Sequence, residues 1–146
     1  MANQIGSAVW HGGLKDGRGN VSSESGALNA TYSFGSRFED DKSGTNPEEL
    51  VGAALSGCYV MFLSSLIEKQ GFKPKHVHGD AKVSLSKDDR GPFISRIELT
   101  VEGSVEGLQE ADFQKLVQEA KANCPISRAV AGVPEITVSA TLNTKE

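Results

Sequence analysis

Apolar and polar residues alternate with a period of two along several stretches of the chain, a pattern typical of half-buried strands. Two of these stretches, His76 to Leu85 and Phe93 to Val105, are joined by a charged turn at Lys87 to Pro92. A third, Ile136 to Leu142, follows much later in the chain. We therefore expect a strand pair in the middle of the chain and one further strand near its end.

The first 45 residues also predict strands, with turns between them. Asp16-Gly17 and Ser25-Gly26 are turn dipeptides, because glycine adopts the positive φ angles that tight turns need. The strands expected around these dipeptides cover Ala8–Trp10, Val21–Ser23 and Ala27–Phe34. We expect this part of the chain to consist of strands and turns.

The signals of a helix N-terminus follow. Asn46 suits the N-cap, Pro47 the first helical position, and Glu49 the acidic position of a capping box. Capping is also the preferred role of Glu49, ahead of a catalytic one. The helix should continue to about Gln70 and stop at Gly71, since glycine favours the position just after a helix end.

A second helix is predicted over Gln109–Asn123, where apolar residues recur at helical spacing. Cys124 continues this apolar stripe, four positions after Ala120. Pro125 should end the helix, because proline lacks the N–H that the next turn would use, and it suits the start of a short helix through Ala131. The whole order of strands, helix, strand pair, helix and strand is that of an α+β domain.

The first predicted helix is apolar on all sides. Leu50 to Ile67 is 18 residues without a charge, at the lower edge of a membrane-spanning length. It lacks the flanking charge asymmetry and tryptophan belt of a spanning helix, so we expect a buried helix and no membrane partner. One sheet covers only one side of it, and the small residues Gly52 and Ser56 would let another backbone approach. We therefore predict an obligate homodimer whose second subunit covers the rest.

Composition narrows the function classes. The chain has 146 residues, and 15 basic against 19 acidic residues give a net charge of −4 and a pI of about 5.4. This length is about one domain, which we place over residues 1–146. An acidic chain is a poor match to nucleic acid, so no nucleic-acid partner is expected. Met1 to Trp10 lacks the segments of a signal peptide, so we expect a cytoplasmic protein with reduced thiols.

The chain has two cysteines, Cys58 and Cys124. Two cysteines exclude a disulfide-rich scaffold and a four-cysteine zinc site within one chain, and they form no CxxC motif. Both also suit plain packing, because a buried free cysteine behaves as a small hydrophobe. Gly57 leaves one flank of the Cys58 sulfur open, and free N–H groups after Pro125 would favour a thiolate at Cys124. If the fold brings them together, one thiol would be oxidised and the other would resolve it.

Three further polar residues, His76, His78 and Asp80, share one face of a predicted strand. Lys82 lies on the same face, so a solvated surface is preferred to a metal site, and no metal is expected.

Several short motifs are spread along the chain. They are Trp10-His11-Gly12, Gly17-Arg18-Gly19, Ser25-Gly26, Arg37-Phe38-Glu39, Thr45-Asn46-Pro47-Glu48-Glu49-Leu50, Gly52-Ala53-Ala54 with Cys58, and Cys124-Pro125. With this set the chain resembles the OsmC/Ohr family, whose names stand for osmotically inducible protein C and organic hydroperoxide resistance protein. The resemblance covers about residues 8–142, and the N-terminal motifs are more similar to the osmotically inducible branch.

The resemblance implies an α+β fold in which two subunits intertwine. Two long central helices would pack between antiparallel sheets, with active sites at the subunit interface. It also implies a Cys-based thiol peroxidase that reduces organic hydroperoxides, and hydrogen peroxide more weakly, in the oxidative or osmotic stress response. An external dithiol would recycle the enzyme without a cofactor, and lipoyl groups and small dithiols both remain open as that reductant.

The same resemblance implies four site residues. Cys58 matches the peroxidatic cysteine, Cys124 the resolving cysteine, Arg37 the active-site arginine, and Glu48 its acidic partner. The permanent charge of Arg37 would lower the pKa of Cys58 and hold the peroxide oxygens. Cys58 would pass through a sulfenic acid to a disulfide with Cys124, which the dithiol reduces.

Apolar side chains near these positions are candidates for a pocket that takes the organic group, with plain core packing as the alternative. They are Phe34, Phe38, Leu55, Tyr59 and Phe62.

The position of Glu48 raises a geometric difficulty. It precedes Cys58 by ten positions, which is about 15 Å along a continuous helix. An arginine held by Glu48 would have to stretch fully to reach Cys58 of the same chain. Either the helix begins later than Pro47 indicates, or two subunits share one site. We favour sharing, with Arg37 or Glu48 reaching Cys58 of the other chain.

Two other function classes stay open at this point. One is a non-catalytic stress protein that binds a hydrophobic small molecule at the dimer interface, which would not require the four site residues together. The other is a Cys-His acyl-transfer enzyme. The available histidines, His11, His76 and His78, have no recognisable orienting partner nearby in the sequence.

Overall fold

The computed structural model describes residues 3–144. Its elements are β1 (Gly6–His11), β2 (Arg18–Ser23), β3 (Asn29–Tyr32), α1 (Phe34–Phe38), α2 (Pro47–Lys69), β4 (His76–Asp88), β5 (Gly91–Ser104), α3 (Glu110–Asn123), α4 (Pro125–Ala129) and β6 (Glu135–Asn143). They form two compact units, the first ending at Leu50 and the second beginning at Val51. The mixture of helices and sheets confirms the predicted α+β class. The single domain expected over residues 1–146 stays a prediction.

The first unit contains a three-stranded antiparallel sheet in the order β1-β2-β3. The turn at Asp16-Gly17 is confirmed, since the Gly17 amide donates to the Gly13 carbonyl at 2.9 Å. The Asp16 carboxylate also accepts a hydrogen bond from the Gly13 amide at 3.1 Å. The rings of Trp10 on β1 and Tyr32 on β3 lie 5.3 Å apart, across Gly19 of the central strand β2.

Helix α1 is an element that the hydrophobic pattern does not predict. The expected strand ends at Tyr32, because Ser33 and Ser36 cap a helix turn instead. The Ser33 hydroxyl accepts from the Ser36 amide at 3.1 Å, and the Ser36 hydroxyl accepts from the Ser33 amide at 2.9 Å. Five residues are too few to show a helical hydrophobic period, so reciprocal capping decides this turn. It also fixes the place of Arg37.

The predicted start and end of α2 are confirmed. The Asn46 side chain accepts a hydrogen bond from the Glu49 amide at 2.7 Å, as an N-cap does. The Glu49 carboxylate accepts from the Thr45 hydroxyl at 2.7 Å, which is a local capping role. After the helix, Gly71 has a φ of +92°, a conformation that glycine adopts without strain.

The second unit contains a mixed sheet in the order β4-β5-β6. Strands β4 and β5 form the predicted antiparallel pair, but β6 runs parallel to β5. The expectation of antiparallel sheets is therefore confirmed for the first sheet and wrong for the β5–β6 pair. The reason is the connection: the chain leaves β5, passes through α3 and α4, and returns in the same direction, as a crossover between parallel strands does.

Helices α2 and α3 pack on the same face of this sheet. A Cβ atom at Gly79 of β4 would lie 2.9 Å from Val60 of α2, and one at Gly103 of β5 would lie 3.0 Å from Phe113 of α3. The buried core lies between the helices and the strands. Its members are Leu55, Tyr59, Leu63, Leu66, Ile67, Ile97, Leu99, Val101, Val105, Leu108, Phe113, Leu116, Val117, Ala120 and Cys124.

The opposite face of α2 is exposed. It carries small and apolar residues, Ala53, Ala54, Gly57 and Met61, the last with 77% of its surface accessible. Helix α2 is long and apolar enough to cross a membrane, a criterion that the core helices of soluble proteins also meet. The homodimer and the absence of a membrane partner stay predictions.

The close approach of α2 to β4 predicts an unusual response to alanine. Replacing a strand glycine by alanine ordinarily stabilises a protein by about 0.5–1 kcal/mol. At Gly79 the added methyl group meets Val60, and overpacking of this kind costs about 1–3 kcal/mol. We expect Gly79→Ala to lower the free energy of unfolding by about 1 kcal/mol, measured by chemical denaturation.

A control for this measurement is Gly132→Ala, because a Cβ there meets no atom within 4 Å. If Gly79→Ala were as stable as the wild-type protein or more stable, α2 would lie farther from β4 than the 2.9 Å approach of Val60 requires.

Candidate active site

The two cysteine sulfurs lie next to each other in the second unit. Cys58 is in the middle of α2 and Cys124 lies between α3 and α4, yet their Sγ atoms are 2.8 Å apart. Both are free thiols, with Cys124 buried and Cys58 partly buried. The condition set from the sequence, that the fold brings the thiols together, is met. A small shift would bring the sulfurs to the length of a disulfide bond.

Contacts between α2 and α3 hold Cys58 in this place. Tyr59, its neighbour, is fully buried, and its hydroxyl donates to the Val117 carbonyl of α3 at 2.7 Å. This bond joins residues 58 positions apart in the sequence. Burial, reinforced by the charge of a Cys124 thiolate, raises the pKa of the Tyr59 hydroxyl, so it remains a donor. The position of Cys58 therefore follows from the packing of its neighbour.

Cys124 lies where two helices meet. Its amide donates to the Ala120 carbonyl at 2.9 Å and closes the last turn of α3. Pro125 then starts α4, for which Cys124 is the N-cap. The predicted break at Pro125 is confirmed, and α4 ends at Ala129, two residues before the predicted Ala131. Cys124 therefore ends one helix and begins the next.

These surroundings shift the two thiol pKa values in opposite directions. Burial raises the pKa of the Cys58 thiol, and the hydrogen bond with Cys124 raises it further. Burial also acts to raise the pKa of Cys124, but the contact with Cys58 and the polar groups of Ser127 and Ile126 at the start of α4 together lower it. Within this pair the negative charge is therefore favoured on Cys124. The lowering of the Cys58 pKa expected from Arg37 stays a prediction.

Arg37 and Glu48 form a pair of their own in the first unit. The Arg37 Nε atom donates to Glu48 Oε1 at 3.1 Å, and a terminal guanidinium nitrogen donates to Oε2 at 2.8 Å. The guanidinium carbon also lies 5.0 Å from the centre of the Phe38 ring. This two-point contact holds the plane of the guanidinium group in one orientation. The predicted partnership of Arg37 with Glu48 is thus present in the structure.

An aromatic cavity lies beside Arg37 in the same unit. Its volume is about 230 Å³. The residues that line it are Trp10, Leu14, Tyr32, Ser33, Phe34, Arg37 and Phe38. Two of the expected pocket residues, Phe34 and Phe38, are among them. Leu55 and Tyr59 instead belong to the buried core of the second unit, and Phe62 packs against that core.

Sequence reasoning missed Trp10, Leu14 and Tyr32 as lining residues of this cavity. Trp10 was visible in the motif Trp10-His11-Gly12, but its neighbour Tyr32 comes from another strand. Only strand pairing brings the two rings together. Leu14 is 65% exposed at a turn, a position that no hydrophobic period marks.

The histidine-bearing face of β4 is a solvated surface, as expected. His78 contacts Asp80 at 3.1 Å and His76 contacts Glu102 at 3.4 Å, and all four side chains are more than half exposed. Among residues 3–144, no group of three His, Cys, Asp or Glu side chains is arranged to hold a metal ion.

Comparison with known proteins gives consistent matches over most of the chain. The sequence profile of the OsmC-like protein family matches residues 39–139. The chain is 46% identical to Peroxiredoxin OsmC of Escherichia coli strain K12 over 134 residues, 91% of this chain and 92% of that protein. It is 31% identical over 97 residues to the Organic hydroperoxide resistance protein of Xanthomonas axonopodis pv. citri, 66% of each chain.

Solved structures agree with these matches. The crystal structure of the Organic Hydroperoxide Resistance Protein OhrB of Bacillus subtilis has a TM-score of 0.67 at 26% identity. The match covers 95% of this chain and 98% of that one.

Loss of the Tyr59–Val117 hydrogen bond between α2 and α3 should lower the stability of the protein measurably. In Tyr59→Phe the ring stays but the buried hydrogen bond to Val117 is lost, so we expect the free energy of unfolding to fall by about 1 kcal/mol. The control is Tyr32→Phe, the other tyrosine of the chain, whose hydroxyl has no hydrogen bond to any residue in 3–144. Equal stabilities of the two variants would contradict the role given to the Tyr59 hydroxyl.

Proposed function

Because the chain belongs to the OsmC-like family, we propose that it is a Cys-based thiol peroxidase acting in the oxidative or osmotic stress response. Its substrates are organic hydroperoxides, with hydrogen peroxide reduced more weakly. The observation that carries the proposal is the 2.8 Å separation of the Cys58 and Cys124 sulfurs. Two relatives, a peroxiredoxin and an organic hydroperoxide resistance protein, support the same activity.

The first step oxidises Cys58. Its thiolate attacks the distal oxygen of the hydroperoxide, so that an S–O bond forms, the O–O bond breaks and an alkoxide leaves. Cys58 must first lose its proton to solvent, and the charge of Arg37 favours the thiolate that remains. The alkoxide then takes a proton from solvent and gives the alcohol.

The second step closes the disulfide. The Cys124 sulfur attacks the sulfenic sulfur of Cys58, an S–S bond forms, the S–O bond breaks, and hydroxide leaves and takes a proton from solvent. An external dithiol, either a lipoyl group or a small dithiol, then reduces the disulfide by exchange and is itself oxidised. No cofactor takes part in these steps.

Arg37 and Glu48 serve the site of the partner subunit in this proposal. Helix α2 begins at Pro47, so the alternative of a later helix start is wrong. Ten residues of helix then separate Glu48 from Cys58, about 15 Å along the axis. The two-point contact with Glu48 restrains the Arg37 side chain, which supports sharing between chains. There Arg37 stabilises the Cys58 thiolate and holds the peroxide oxygens.

The aromatic cavity of the first unit takes the organic group of the hydroperoxide. Its walls are mostly aromatic and its one charged group is Arg37. Such a lining favours an apolar group whose polar end meets the guanidinium. This cavity is also the observation that favours the alternative function, a stress protein that binds a hydrophobic molecule without reacting.

The proposed protein is a cytoplasmic homodimer. The exposed small and apolar face of α2 supports a second subunit, because a second copy of the helix would cover it. The reduced thiols that the mechanism needs suit the cytoplasm.

The peroxidase activity is tested by mass spectrometry of the intact protein. Reduced protein treated with an alkyl hydroperoxide should lose two hydrogens and give a Cys58–Cys124 peptide pair after digestion. Cys58→Ser should consume no hydroperoxide. Cys124→Ser should complete one turnover and then become over-oxidised at Cys58. An unchanged mass, with the hydroperoxide still present, would reject the peroxidase and leave the binding protein.

Sharing of the site is tested by mixed dimers. Arg37→Ala and Cys58→Ser chains are inactive alone, but in a co-expressed dimer the first supplies Cys58 and the second supplies Arg37. Half of the randomly assembled dimers are mixed and each has one complete site, so about one quarter of wild-type activity should return. If each chain builds its own site, no activity returns.

A further inference from the structure

Two short segments of the first unit are joined by hydrogen bonds that neither helix cap requires. The Ser36 hydroxyl donates to the Thr45 carbonyl at 2.7 Å, and the side-chain amide of Asn46 donates to the Ser36 carbonyl at 3.0 Å. Ser36 is 6% exposed, so these bonds are largely shielded from water. They tie the turn that carries Arg37 to the start of the helix that carries Glu48.

The Asn46 side chain uses both of its polar ends. Its oxygen accepts from the Glu49 amide at 2.7 Å and caps α2, whereas its nitrogen makes the bond to the Ser36 carbonyl. Capping needs the oxygen alone, and serine and aspartate cap a helix about as well as asparagine does. The donor end of the side chain therefore has a role beyond capping.

The carbonyl that this donor reaches belongs to the peptide group from which Arg37 begins. The Ser36 C=O and the Arg37 N–H share one rigid plane. The N–H side of that plane is held within α1, since it donates to the Ser33 carbonyl at 3.2 Å. The Ser36 carbonyl is one of the last four of the helix, which have no partner inside it, and Asn46 supplies one. Both sides of the peptide group are thus fixed.

Arg37 is consequently held at both ends. Asn46 fixes the backbone at its base, and Glu48 holds the guanidinium group by the two-point contact. The Arg37 side chain is 37% exposed, so without these restraints it would sample many rotamers. A cation that is oriented before the substrate arrives loses little entropy when it stabilises charge in the reaction.

We propose that Asn46 is a positioning residue for Arg37: its side-chain amide fixes the Ser36–Arg37 peptide plane and so directs the guanidinium group toward the hydroperoxide. The proposal rests on the peroxidase function proposed above, in which Arg37 acts on the step that oxidises Cys58. Closure of the disulfide does not involve Arg37. Loss of the Asn46 donor should therefore slow the first step and leave the second unchanged.

The test variants keep the helix cap and remove the donor. Asn46→Ser and Asn46→Asp both retain an oxygen for the Glu49 amide, and the serine variant adds no charge beside Arg37. In quenched-flow mass spectrometry with an alkyl hydroperoxide, the second-order oxidation of Cys58 should slow about fivefold in both, the worth of one neutral hydrogen bond. At high hydroperoxide concentration, where closure limits, the disulfide should form at the parent rate.

Thr45→Val is the matched control. It removes a hydrogen bond from the same helix start, the one from the Thr45 hydroxyl to the Glu49 carboxylate, and it leaves the Asn46 amide in place. Its rate of Cys58 oxidation should equal that of the parent. The proposal is overturned if Asn46→Ser oxidises at the parent rate, if it slows both steps alike, or if Thr45→Val is slowed as much.

A measurement without hydroperoxide tests the positioning directly. The Arg37 Nε–H group donates to Glu48, so its NMR signal, identified by its loss in Arg37→Lys, should exchange slowly with water. Asn46→Ser should raise the exchange rate about fivefold, and Thr45→Val should leave it unchanged. An unchanged rate in Asn46→Ser would contradict the role of Asn46. If the proposed function fails, Cys58 stays unoxidised in the parent as well, and the NMR result still decides the positioning.

Discussion

The hydrogen bond from the Tyr59 hydroxyl to the Val117 carbonyl is the interaction on which the sulfur pair depends. It joins the middle of α2 to α3 at 2.7 Å inside the buried core. Cys58 precedes Tyr59, and Cys124 closes the last turn of α3, so the register of the two helices sets the distance between the sulfurs. A slip of one residue along either helix would turn a thiol away by about 100° and separate the pair.

The break between α3 and α4 gives the two thiols different environments. Pro125 stops one helix and starts another, which leaves Cys124 with its amide committed to α3 and its sulfur near the polar groups at the start of α4. Cys58 lies inside a continuous helix, where the amides are already used by the backbone. Burial acts to raise the pKa of both thiols. The different polar surroundings therefore explain why the pKa of Cys58 is raised and that of Cys124 is lowered.

The structure divides the proposed chemistry between two units. The first holds the Arg37–Glu48 pair and the aromatic cavity, each built by contacts within that unit. The second holds the two sulfurs and the core that positions them. The Arg37 guanidinium, bound at two points by Glu48, and the pair of Cys58 and Cys124 are each formed by contacts within one unit. Catalysis would then require only that a guanidinium meets a thiol, whichever chain supplies it.

The sequence by itself determined the features that are encoded locally: the Asn46 cap, the stop at Gly71, the break at Pro125 and the alternating strands. Their physical causes lie within a few residues, so the pattern suffices. The resemblance to known proteins added the pairing of Arg37 with Glu48. Tertiary structure alone decided the parallel pairing of β6, the meeting of the two sulfurs, and the wall that Trp10 and Tyr32 share. Each of these arises where segments distant in the chain come into contact, and a linear pattern of apolar and polar residues does not specify which segments meet.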